Sequence, residues 1–166
     1  MDRIVDITLV ALISGIALIA LLGAVAVLFP RPVEKTRDIL TASFGKSFLL
    51  GLVNFLFFGA LVALLARFGQ RANGVLAAVL ILLALILAIA LTVFSLLGLS
   101  ALTSLAGERI GEGTTSFRRH LRGSLLIVLA GLTPYIGWFA FTPLALITSL
   151  GAGIQAWFRK EPKVVA

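Results

Sequence analysis

The chain has no cysteine among its 166 residues, so disulfides and thiolate metal sites are excluded, and the redox compartment cannot be read from it. It is nearly as poor in other reactive groups, with one histidine, one tyrosine and seven acidic residues. Charged residues make up only 13% of the chain, too few to coat a water-soluble surface. H-E-x-x-H, G-x-S-x-G, a phosphate-cradling glycine loop and a metal-ligand cluster are all missing. The reading is therefore not an enzyme, with no cofactor and no metal. All seven acids fall outside the apolar runs or at their ends, which also removes the carboxylate that ion-coupled transport places at membrane depth.

What is abundant is apolar surface. Sixty per cent of residues are hydrophobic and the mean hydropathy is +1.14. The charges cluster at the start, in three short segments and at the tail. A charge at the bilayer centre costs roughly 2.5–3.5 kcal/mol on insertion scales, so this segregation is what a bilayer demands. The net charge of +7 is read as loop cations facing lipid headgroups rather than as nucleic-acid binding.

The pattern predicts an all-α integral membrane bundle of four transmembrane helices in a single domain, with spans at about 4–29, 47–66, 75–106 and 123–158. The first run ends at Pro30, which cannot continue a helix. Ala24-Val25-Ala26 resembles a signal-peptidase site, but Asp2 and Asp6 make a poor cationic start, and an uncleaved span is favoured. Residues 31–40 mix charges with Val33, Ile39 and Leu40, which with Phe44 suit a short interfacial helix facing lipid. The short turn 69–74 makes spans two and three antiparallel neighbours. The fourth run would reach about 54 Å as one helix, well beyond the bilayer core. Pro134 and Pro143 lie within it, so it is expected to break near Pro134 and Gly137, with a lead-in over 123–133 and a span over 138–157. Trp138 and Trp157 bracket that span as interfacial residues do. Segments 31–46 and 107–122 hold eight Lys or Arg, against six in the N-terminus, the 67–74 turn and the tail. That difference favours cytoplasmic long loops with both termini on the other side.

Candidate functional residues are few. Ala145, Ser149 and Gly153 recur every fourth residue, as do Thr148, Ala152 and Ala156. Such rows let helices approach closely and mark a helix–helix interface, within the chain or between copies. Asn54 is the strongest polar group inside a span and reads as packing glue. A pathway for a small neutral solute lined by Asn54, Thr133 and Tyr135 is the alternative. Arg118, Arg119 and Arg122 form a basic run suited to anionic lipid or an acidic partner, and His120 between them reads as a solvated loop histidine.

Three passages resemble a group of small bacterial and archaeal polytopic proteins whose membrane region accompanies, or is fused to, bactofilin-like polymer-forming domains. They are Leu28-Phe29-Pro30-Arg31-Pro32-Val33-Glu34-Lys35, Gly45-Lys46-Ser47-Phe48-Leu49-Leu50-Gly51-Leu52, and Arg122-Gly123-Ser124-Leu125-Leu126 with the later Thr133-Pro134-Tyr135-Ile136-Gly137-Trp138 and Ser149-Leu150-Gly151-Ala152-Gly153. The resemblance implies a prokaryotic cytoplasmic-membrane protein without catalytic residues; these 166 residues hold no polymer-forming domain. The function expected is a non-enzymatic scaffold or accessory subunit, a homo-oligomer or part of a larger membrane complex. A channel or transporter component for a small neutral solute is the alternative.

Overall fold

A computed structural model describes residues 2–110, 116–133 and 135–159. Among these every regular element is helical: α1 (Asp2–Leu28), α2 (Pro30–Arg71), α3 (Gly74–Glu108), α4 (Ser116–Leu132) and α5 (Thr142–Phe158), with a π-helical turn Gly137–Phe141 leading into α5. Four stretches are long and apolar enough to cross a membrane: Thr8–Leu28, Pro30–Arg71, Gly74–Glu108 and Gly137–Phe158. The chain is an all-α integral membrane bundle, and its exterior is largely apolar.

The 42 residues of α2 are two helices joined at Ser43, whose φ of −156° and ψ of 62° are not helical. Weak helix formers cluster there: Thr41, Ser43 and Gly45. Thr41 Oγ1 donates to the carbonyls of Asp38 and Arg37, and Ser43 Oγ to that of Ile39, competing with the backbone ladder. The first piece is not the lipid-facing interfacial helix expected from its pattern. Val33, Ile39 and Leu40 are each only 2% exposed and join Ala101, Ala152 and Ala156 in the core. The apolar stripe is real, but it packs on protein, where small residues of α3 and α5 make room for it. Only Phe44 remains outside.

Glycine sets the helix crossings. A Cβ on Gly51 would strike the carbonyl of Ile147, and one on Gly151 the carbonyl of Ser47, so α2 and α5 touch backbone to backbone. Gly98 meets Ser149 in the same way between α3 and α5, and Gly123 meets Thr103 between α3 and α4. Lipid tails are as apolar as leucine, so association within a membrane rests on such close packing and on interhelical hydrogen bonds. Ser100 Oγ supplies one of the latter, donating to the Leu22 carbonyl of α1 at 3.0 Å.

The run 123–158 is broken as its prolines demand. α4 begins upstream of the expected start, at Ser116, and ends at Leu132. Pro134 itself lies outside the described residues. Tyr135 adopts a φ of +66°, a left-handed conformation that costs a non-glycine residue about 1–2 kcal/mol. Gly137 then passes so close to the Ala130 carbonyl that no side chain fits. Pro143 lacks an N–H and its ring crowds the carbonyl four residues back, so the turn before it widens: the Thr142 N–H reaches the Gly137 carbonyl five residues back.

Both ends of this α4–α5 hairpin lie at one end of the bundle. Arg119 of α4 meets Glu108 of α3 and, through it, Arg37 of α2. At the close of α5 the Arg159 carbonyl accepts from Lys35 Nζ. The expectation that the tail side lies opposite segments 31–46 and 107–122 is corrected by that contact. α5 returns to the end from which α4 departs, because the break between α4 and the π-helical turn reverses the chain. α1 leads away from that end over about 40 Å, so its N-terminus and the described C-terminus lie at opposite ends. The tail beyond Arg159 is outside the described residues.

Candidate functional site

Charge concentrates where the pieces 30–42, the end of α3, the start of α4 and the end of α5 converge. Arg31, Lys35, Arg37, Lys46, Arg109, Arg118, Arg119, Arg122 and Arg159 belong to this end, against Glu34, Asp38 and Glu108. Glu108 is its hub. One carboxylate oxygen, Oε1, lies 2.8 Å from Arg37 Nη1 and 3.0 Å from Arg119 Nη1. It ties α2, α3 and α4 together from positions far apart in the chain.

Arg119, expected to meet lipid or a partner, is therefore half-buried and committed to Glu108. Arg118 and Arg122 are exposed, and among the described residues neither meets a carboxylate. His120 is no solvated loop residue. It sits on α4, half-buried, with a buried Nδ1 that has no hydrogen-bond partner among the described residues. Burial lowers its pKa, Arg119 lowers it further, and Glu108 pulls it partly back.

The sign of the pH effect follows. An unfolded histidine titrates near about pH 6.5, while the folded imidazole stays neutral to lower pH. Above that window proton binding does not distinguish the two states; as pH falls below it, the unfolded chain binds the proton more readily and stability declines. The wild type should lose more thermal stability in detergent between about pH 7.5 and about pH 5.5 than His120→Gln does. Equal losses would remove His120 from the account.

The small-residue rows of α5 are occupied within the chain. Ala145, Thr148, Ser149, Ala152, Gly153 and Ala156 are all buried against α2 and α3. Thr148 Oγ1 bonds its own helix at Leu144, and the Ser149 hydroxyl is buried with no partner among the described residues. No face of these rows is left for another protein. Asn54 Nδ2 donates to Leu50 of its own helix at 2.7 Å, so that donor does not reach a neighbouring helix. Thr133 likewise bonds backward to Ala130 and Leu129, and the Tyr135 side chain is 79% exposed. No hydrogen bond among the described residues brings Asn54, Thr133 and Tyr135 together. Gly137 is buried at the hairpin turn and serves the close crossing there.

Two depressions flank the charged end. A cleft of about 670 Å³ lies between residues 31–39 and the end of α5, with Arg31, Glu34, Lys35 and Trp157 on its walls. A second, of about 780 Å³, runs between α1 and α4. Among the described residues no three His, Asp or Glu side chains converge as a metal site would require. No family model matches the chain, and neither does any curated protein or solved structure. Sequence reasoning missed the Glu108 hub and the buried face of 30–42, and the only available signal was an acid amid cations.

Proposed function

We propose that the chain is a non-enzymatic scaffold or accessory subunit of a prokaryotic cytoplasmic membrane, with its cationic end toward the cytoplasm. The observation that carries this reading is the charge asymmetry among the described residues: nine Lys or Arg against three acids at one end of the bundle, and Arg3, Arg67 and Arg71 against Asp2 and Asp6 at the other. Cations near span ends stay cytoplasmic and meet anionic lipid. Partner contacts fall to this basic end and to the lipid-facing sides of α1 and α2, since α5 is already enclosed. The resemblance noted in the sequence makes a polymer-forming protein one partner class, and a second copy of the chain is another. A neutral-solute pathway has less support, because Asn54 and Thr133 use donors on their own helices.

Purification from mild detergent after crosslinking tests the proposal. The chain is expected to emerge as an oligomer or with a partner, and Arg118→Gln with Arg122→Gln should weaken that association. A strictly monomeric chain that conducts a neutral solute in liposomes would refute the scaffold reading.

A further inference from the structure

The groove between α1 and α4 has a chemistry of its own. On α1 the small residues Ala20, Gly23 and Ala24 form its floor beside the larger Ile19, Val27 and Leu28, and Pro30 with His120 and Leu121 frames its mouth. A Cβ added at Gly23 would meet nothing within 4 Å, so the trough is open there. From Ile19 to Pro30 it runs about 16 Å at the helical rise. One leaflet of a bilayer core is about 15 Å thick. The groove thus has the length and polarity of a single extended acyl chain, with its mouth at the cationic end.

That mouth is charged with one sign. Arg118 lies three residues before Leu121 on the same stripe of α4, whereas Arg122, one residue after it, points to another face of the helix. Both are exposed, and the nearby carboxylate of Glu108 is already shared by Arg37 and Arg119. We propose that this groove seats one acyl chain of an anionic phospholipid whose phosphate rests on Arg118. The inference rests on the membrane orientation proposed above, but needs no protein partner, so the two can fail separately.

Native mass spectrometry of the purified full chain, exchanged with phosphatidylglycerol or with phosphatidylcholine, reads the site directly. Wild type should retain phosphatidylglycerol at least about fivefold better than phosphatidylcholine, as cations at an anionic surface imply. Arg118→Gln should abolish that preference while leaving phosphatidylcholine retention unchanged. Gly23→Leu and Ala20→Phe each fill the trough and should lose both lipids, with helical circular dichroism confirming that the variants fold. Equal retention of the two lipids by wild type would overturn the proposal. So would undiminished retention by both filling variants, or a lipid-free dimer showing that a second copy occupies the groove.

Discussion

Gly151→Leu is expected to dismantle the bundle, with a destabilisation above about 3 kcal/mol and loss of a monodisperse species in detergent. The new side chain would begin in the Ser47 carbonyl and lie 2.5 Å from the Gly51 nitrogen. Those atoms are backbone, so no rotamer change relieves the collision. Overpacking a core ordinarily costs about 1–3 kcal/mol because side chains can yield; here α2 and α5 must separate. The control is Gly59→Leu, whose Cβ would meet nothing within 4 Å. It should be neutral or slightly favourable, since leucine exceeds glycine in helix propensity by up to about 1 kcal/mol. Thermal unfolding followed by size-exclusion chromatography distinguishes the two, and equal behaviour would contradict the crossing.

Glu108→Gln should be the most damaging change among the charged residues, at about 2–3 kcal/mol. It leaves the shape nearly intact but removes the one carboxylate that, among the described residues, joins Arg37 to Arg119, leaving Arg37 only the longer contact with Asp38 at 3.7 Å. Two guanidinium groups would then face each other at a half-buried site. Breaking a fully buried pair costs about 3–5 kcal/mol, and partial exposure of Glu108 reduces that. Adding Arg119→Gln should restore part of the loss, because one of the opposed cations is gone. A shift smaller than about 0.5 kcal/mol would mean that solvent screens the hub.

The spans were legible because a bilayer writes its constraint in the most visible way, as long runs without charge. The runs expected at 4–29 and 75–106 correspond to α1 and α3 within two residues at each end. The break after Leu132 was legible because proline removes a donor wherever it stands. Residues 30–42 show where that legibility ends. An apolar stripe at helical spacing looks the same whether it will face lipid or protein, and only the small residues opposite, Ala101, Ala152 and Ala156, decide it. The rows on α5 announced a close contact without saying with what. The pairing of Glu108 with Arg37 joins residues 71 apart, and no local pattern encodes such a distance. The same holds for Lys35 with Arg159, whose contact moves the end of α5 to the cationic side.

That placement of α5 is the claim that sets which end of the bundle the C-terminal part of the chain joins. Because the chain has no cysteine, single substitutions can be labelled without background. Asn73→Cys, Arg109→Cys and Arg159→Cys, each in sealed vesicles and treated with a membrane-impermeant maleimide, report the side of three positions. Positions 109 and 159 are predicted to react from one side and position 73 from the other. Labelling of 159 together with 73, and opposite 109, would contradict the hairpin and return the C-terminal end to the far face.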